Sequence, residues 1–93
     1  GSIKLDGGVS INNLDVYPNP SRYLFNISFS SDKIQDLNIR ILNIVGAEVY
    51  RENKQQFIGE YTKQIRLDNY GKGIYFLEIE TNDGVVNKKL ILQ

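Results

Sequence analysis

Apolar residues recur at every second position along most of this chain, which is the spacing of a β-strand with one buried face. About seven such segments occur between turn-forming residues: 14–18, 23–30, 37–44, 47–50, 61–67, 75–80 and 85–92. No stretch repeats with the 3.6-residue period of a helix, and residues 32–35 suit one helical turn at most. The pattern therefore predicts an all-β fold, an immunoglobulin-like antiparallel β-sandwich of about seven strands.

The inward positions of these segments predict the hydrophobic core, because a period of two puts them on one face. They are Phe25, Ile27, Phe29, Leu37, Ile39, Ile41, Ile65, Leu67, Tyr75, Leu77, Ile79, Leu90 and Leu92. The same alternation places Tyr23 on the inward face and makes Lys88 a polar interruption of the last segment.

Glycine, asparagine and proline divide the segments where the chain must reverse. Val45-Gly46 and Asn82-Asp83-Gly84 predict hairpins, the second with a two-residue type I′ turn. Pro18-Asn19-Pro20 ends the first segment, because proline donates no hydrogen bond to a sheet. Tyr75 follows a turn at Gly71–Gly73 and resembles the tyrosine corner of β-sandwiches.

The length of 93 residues suits one folded domain. Residues 1–2 resemble an expression-tag remnant, residues 3–11 are predicted to be a linker, and residues 12–93 form the predicted domain. Eleven basic residues balance 11 acidic ones, which leaves no net field to hold nucleic acid. No apolar run approaches the roughly 20 residues of a membrane span, so we expect no membrane span.

The composition also limits the chemistry, because the chain has 0 histidines and 0 cysteines to act as nucleophiles or metal ligands. Glu78 and Glu80 share a strand face at a spacing of about 7 Å, which suits an acid–base pair, but they fit a solvated face better. The chain has six aspartates, but they do not form the array of a calcium-binding loop, so they could bind at most a weak structural cation. These are Asp6, Asp15, Asp32, Asp36, Asp68 and Asp83. We therefore expect no enzyme activity, no cofactor and no dedicated metal site.

Tyrosines suggest an alternative function, because aromatic rings can stack on sugars. Tyr17, Tyr50, Tyr61 and Tyr70 would form such a platform, although tyrosine is also common on half-buried sheets and the chain has 0 tryptophans. This alternative is a glycan- or surface-binding immunoglobulin-like accessory module of a secreted hydrolase or adhesin.

Four segments carry a more specific pattern. They are Val16–Pro20 with the strand Leu24–Ile27, the hairpin Ile41–Val49, the segment Leu67–Leu77 containing Gly73-Ile74-Tyr75-Phe76-Leu77, and the terminal Asn87–Leu92. In this order they resemble the C-terminal sorting domain of type IX secretion cargo, in its type A class, over residues 14–93. The sequence departs from that family at Gln93, where a basic residue is frequent, and at Asn87, where basic residues or glycine are common.

The resemblance implies a secretion signal from a Bacteroidetes-type bacterium. Domains of this family direct a covalently linked N-terminal cargo from the periplasm through the type IX outer-membrane translocon. A sortase-like peptidase then removes many of them, and the cargo is released or attached to the outer cell surface. We expect the same partners and the same route for this chain.

The resemblance also assigns residues to these roles. Signal or recognition roles fall on Pro18, Asn19, Pro20, Gly46, Gly73, Tyr75, Lys88 and Lys89. The linker residues Asp6, Gly7, Gly8 and Val9 are where a peptidase would cut. Strand addition at a sheet edge is the mode of docking that such a domain offers.

Overall fold

The computed structural model describes residues 11–93, which form five β-strands. The strands are β1 (Ile11–Tyr17), β2 (Leu24–Asn43), β3 (Glu48–Arg66), β4 (Gly73–Thr81) and β5 (Gly84–Leu92). This part of the chain contains no helix, and so none long and apolar enough to cross a membrane. The predicted all-β class is confirmed.

The five strands form one antiparallel sheet that curls around its core. The strand order is β1–β2–β4–β5, and β3 also pairs with β2. The first half of β2 lies between β1 and β3, whereas its second half lies between β3 and β4. The hairpin of β2 and β3 therefore runs through both halves of the sheet and connects them.

β2 and β3 are longer than the pattern predicted, because each continues through a polar interval. Their register shifts between Ser31 and Gln35, and on the facing strand Gln56 and Gly59 have φ of 51° and 96°. Such bulges bend a strand without ending its pairing. All seven predicted segments contain strand, but two pairs of them are continuous. The strand count is therefore corrected to five, and the immunoglobulin-like sandwich is not confirmed.

The predicted core is confirmed at every position. All of its residues are buried, and the most exposed of them, Tyr75, is only 6% exposed. The structure adds Ile11, Val16 and Tyr61 to the same cluster. Ile11 belongs to β1 although it was predicted to end the linker. The tag remnant, the rest of the linker and the predicted cleavage segment Asp6–Val9 lie outside the described residues.

Two local predictions are corrected. Tyr23 is 45% exposed, because it precedes β2 and lies outside the alternation of that strand. In the second hairpin Thr81 pairs with Gly84, so the two turn residues are Asn82 and Asp83. Neither has the positive φ that a type I′ turn requires; the positive φ in this hairpin, 144°, is that of Gly84, which follows the turn.

Candidate functional site

The predicted motif residue Asn19 lies against the terminal strand β5. Its Nδ2 donates to the carbonyl of Lys89 at 2.8 Å, and its Oδ1 accepts from the N–H of Ile91 at 3.0 Å. One side-chain amide thus satisfies a donor and an acceptor on the side of β5 that faces away from β4. The flanking Pro18 and Pro20 are exposed.

Ser21 extends this contact by two backbone hydrogen bonds. Its N–H donates to the carbonyl of Ile91 at 2.9 Å, and its carbonyl accepts from the N–H of Gln93 at 2.8 Å. Pro18–Ser21, here called the clip, therefore covers the outer edge of the last residues of β5. The structure thus brings together two predicted motifs that lie about 70 residues apart in the sequence.

The clip leaves the beginning of β5 open at the sheet edge. In an antiparallel strand, the backbone groups that point away from the neighbour recur at every second residue. The backbone N–H of Ile91 points toward the clip. The backbone N–H and C=O groups of Val85 and Asn87 therefore point to the same side of β5, but they lie beyond the reach of Asn19. As far as the described residues show, strand addition at the edge of β5 is therefore possible only in this half.

Lys88 and Lys89 point to opposite faces of β5. The side chain of Lys89 lies on the outer face, opposite Phe76 of β4, whereas Lys88 follows the inward phase of Leu90. Both lysines are exposed. Within residues 11–93 neither ammonium group lies within 4.0 Å of a carboxylate. The predicted basic pair is therefore two separate sites, and neither charge is part of an ion pair with the residues that the structure describes.

Gly46 closes the hairpin between β2 and β3, as predicted. Its φ of 88° lies in the left-handed region that favours glycine, and a Cβ there would meet no atom within 4 Å. Asn43, which was not predicted, supports the turn: its Oδ1 accepts from the N–H groups of Val45 at 3.1 Å and Ala47 at 2.9 Å. Asparagine before a turn glycine is the sequence signal for this role.

Gly73 and Tyr75 have structural roles at the start of β4. Gly73 adopts a φ of 145°, and a Cβ there would also meet nothing within 4 Å. The buried Tyr75 donates from its hydroxyl to the carbonyl of Gly71 at 2.5 Å, which is the hydrogen bond typical of a tyrosine corner. Both residues shape the turn that leads from β3 into β4.

Apolar side chains remain exposed on the outer face beside this turn. Val45 is 83% exposed and Ile44 72%, while Ile74 and Phe76 on β4 are 37% and 36% exposed. Leu42 pairs with Phe76, and Ile91 pairs with Ile74. The outer patch is defined here as Leu42, Ile44, Val45, Ile74, Phe76 and Ile91. The strand residues Leu42, Ile74, Phe76 and Ile91 fall on the polar phase of their strands, and Ile44 and Val45 lie in the turn after β2. Apolar residues at such positions are the sequence signal that the prediction missed.

Charged side chains next to the outer patch neutralise one another. Arg51 holds both carboxylate oxygens of Glu48, at 2.8 and 2.6 Å, and Arg40 bridges Glu48 and Glu78. The hydrogen bonds from Arg51 are the largest cause that lowers the pKa of Glu48, burial opposes them, and Arg40 also contributes, so that the net pKa is about 2. Glu78 is thus part of an ion-pair row on the sheet.

Glu52 organises a second polar cluster, on β3. Its Oε1 accepts from the hydroxyls of Tyr61 at 2.5 Å and Tyr50 at 3.3 Å, and Lys54 and Lys63 lie at 3.7 and 3.9 Å. Burial raises the pKa of Glu52, but the Tyr61 hydrogen bond and the two lysines outweigh this effect, so the net pKa is lowered. The cluster joins the two halves of β3 across the bend.

The other candidate residues are dispersed. Glu80 accepts from Asn38 at 3.2 Å, as expected of a solvated face. Within the described part of the chain, no three acidic side chains are grouped to hold one metal ion. Tyr61 is 4% exposed and stacks on Phe29 with centroids 4.6 Å apart. Its ring therefore offers no face to a sugar.

A domain whose terminal strand, turn and exposed apolar side chains meet on one face is typical of a protein-recognition module. A family model described as the secretion system C-terminal sorting domain matches residues 15–93. The chain therefore belongs to the family of type IX secretion C-terminal sorting domains. This is a family of sorting signals for secreted or cell-surface proteins, not of enzymes. The comparison with curated proteins gives no match.

Proposed function

We propose that this domain is the signal by which the type IX outer-membrane translocon recognises a covalently linked N-terminal cargo in the periplasm. The observation that carries the proposal is the convergence of the family's segments on β5. The clip holds one side of this strand, and β4 holds the other along its whole length. The turns at Gly46 and Gly73 lie at the ends of strands of the same half of the sheet.

A preformed surface suits this task, because the domain needs to be recognised and not to react. Leu90 and Leu92 anchor β5 in the core at 0% and 1% exposure, while Lys88 and Lys89 remain in solvent. Recognition and stability therefore rest on different residues of one strand. We propose that the domain has no catalytic activity and needs no cofactor.

The later steps follow the family's route. After translocation, a sortase-like peptidase cuts within Asp6–Val9, and the cargo is released or attached to the outer surface. Strand β1 begins at Ile11, so such a cut falls before the first described strand and leaves the folded domain intact.

A reporter fusion tests the proposal. We expect a periplasmic reporter carrying the full chain at its C-terminus to reach the cell surface or the medium in a host with a type IX system. The same reporter should stay in the periplasm when residues 88–93 are removed. Because that truncation also removes Leu90 and Leu92 from the core, its folding must be measured separately.

The double variant Lys88→Ala with Lys89→Ala provides the control for folding, because both lysines are exposed and the core residues stay in place. Loss of export with an unchanged Tm would assign the basic pair to the signal. Unchanged export would remove the pair from it. Export of the reporter without the domain, or in a host that lacks the translocon, would refute the sorting function.

A further inference from the structure

We propose that the outer patch and Lys89 form the surface on which the export machinery docks, and that the protein partner presents apolar side chains and a carboxylate there. This inference rests on the proposed sorting function and names the surface and the chemistry of the partner. It places recognition on the outer face of β2, β4 and β5.

The exposure of the outer patch is the first argument. Folding leaves Val45 83% and Ile44 72% exposed, and Phe76 and Ile74 lie beside each other on one strand face. Contiguous apolar surface on a soluble domain marks an interaction site more often than scattered single residues do. Burial against a partner would remove this surface from water.

The other half of the sheet shows the contrast. Its outer face carries Asn26, Ser28, Thr62 and Gln64 in neighbouring register positions of β2 and β3. Their polar groups pair locally; for example, Gln64 Nε2 donates to Asn26 Oδ1 at 3.2 Å. Tyr17 is also exposed on this face, at 52%, but it lies beside the polar Asn26. The exposed apolar cluster is therefore a property of the half that contains β4 and β5.

The charge of Lys89 identifies the partner's chemistry. The carbonyl of Lys89 points to the clip, so Lys89 and Phe76 form a non-hydrogen-bonded pair, in which side chains lie closest. Nearby Glu78 and Glu48 are already paired with arginines. Among residues 11–93 this face thus offers apolar contact and a cation with no ion-pair partner, which an apolar surface bearing a carboxylate complements.

A second copy of this chain fits this surface less well. Two outer patches facing each other across a two-fold axis would bring Lys89 toward the partner's Lys89, and like charges oppose that contact. An anionic membrane is also disfavoured, because one lysine adds little to membrane binding. A strand added along the edge beside Lys89 would have to displace the clip.

A patch variant, a charge variant and a matched control in the reporter fusion test this inference. Lys89→Glu and Ile44→Asp should each lower the exported fraction about tenfold, as expected for loss of an interface anchor. Ile58→Asp is the control, because Ile58 is 53% exposed on β3 and lies outside the outer patch. It should export like the wild type, and all three variants should keep the wild-type Tm. Lys89→Arg should restore export.

Photocrosslinking identifies the occupant. A photoreactive residue at position 44, but not at position 58, should form an adduct with a protein of the export machinery, and Lys89→Glu should abolish it. Wild-type export together with equal export of Ile44→Asp would refute the docking surface and leave the sorting function standing. An adduct with a second copy of the chain, or with lipid alone, would also refute it. Failure of the wild-type fusion to export would refute both proposals.

Discussion

At the scale of single residues, Asn19 takes the place of a short strand. Its amide carries a donor and an acceptor on one rigid plane, and these match the carbonyl of Lys89 and the N–H of Ile91. Without this partner, both backbone groups would face solvent at the sheet edge. A motif that is read as part of the signal therefore also stabilises the strand that it accompanies.

Replacing Asn19 by alanine removes both hydrogen bonds. We expect the free energy of unfolding to fall by about 1–2 kcal/mol, since each such bond contributes roughly 0.5–1.5 kcal/mol. Amide exchange at Ile91 should accelerate, because its acceptor is lost. Asn69→Ala, in an exposed loop, is the control and should change stability by less than about 0.5 kcal/mol. An unchanged exchange rate at Ile91 would contradict the role of Asn19.

Two glutamates make stability depend on pH. In the folded chain the pKa of Glu48 is lowered to about 2 and that of Glu52 is lowered as well, whereas an unfolded glutamate titrates near ~4.3. A carboxylate whose pKa is lowered by folding stabilises the fold at pH values above its pKa in the unfolded chain. This contribution is lost as the pH falls toward the pKa in the folded chain. Urea unfolding should therefore show decreasing stability between about pH 5 and about pH 2.

The variant Glu48→Gln should reduce the slope of stability against pH in this window, because it removes one of the two groups. Glu60→Gln is the matched control, since the Glu60 carboxylate makes no ion pair within the described strands. A slope in Glu48→Gln equal to that of the wild type would show that the Arg51 pair does not stabilise the fold.

At the scale of elements, the hairpin between β2 and β3 depends on one backbone conformation. Gly46 has a φ of 88° and open space around it, so only the backbone, and not packing, requires glycine there. Asn43 adds side-chain hydrogen bonds that hold the loop at its base. The exposed Ile44 and Val45 are therefore presented by a turn of defined shape.

Gly46→Ala should cost about 1–2 kcal/mol, because an L-residue with a Cβ is disfavoured in the left-handed region. Gly71→Ala is the control: a Cβ there also meets nothing within 4 Å, and its φ is not positive. Gly71→Ala should be neutral or slightly stabilising, because alanine lowers the conformational entropy of the unfolded chain. Equal Tm values for the two variants in thermal unfolding would contradict this account.

At the scale of the whole molecule, one curled sheet supplies both sides of its own core. β2 places Phe25 and Ile27 in one half of the sheet and Ile39 and Ile41 in the other, and all belong to the same buried cluster. The outer faces of the two halves differ, since one is polar and the other carries the outer patch. Folding thus separates the face that stabilises the domain from the outer face on which we propose that recognition occurs.

Ile39→Ala tests the shared core, because Ile39 is 0% exposed. We expect a loss of about 2–4 kcal/mol from the removed methyl groups and the cavity that remains. Ile34→Ala, at a position that is 64% exposed, should stay within about 0.5 kcal/mol of the wild type. Chemical denaturation measures both. A loss below ~1 kcal/mol for Ile39→Ala would mean that the core at this position relaxes and leaves no cavity.

The sequence by itself determined the class of fold, the core and the family. The period of two decides which side chains face inward, and a one-residue slip would expose every one of them, so the pattern specifies the core strongly. Residues such as Leu77 and Leu90 were predicted for this reason and are buried. The family followed from segments whose order is visible in the sequence and which the family match over residues 15–93 confirms.

Only the tertiary structure decided how the segments join into strands and which exposed side chains they bring together. A bulge is not visible in alternation, so the continuity of β2 through Ser31 and Gln35 could not be predicted. The contact of Asn19 with β5 joins residues about 70 positions apart, and the outer patch gathers side chains from three strands and a turn. Alternation records the face of each residue but not its neighbours across the sheet. Strand pairing and the curvature of the sheet set those neighbours, and with them the composition of the proposed recognition surface.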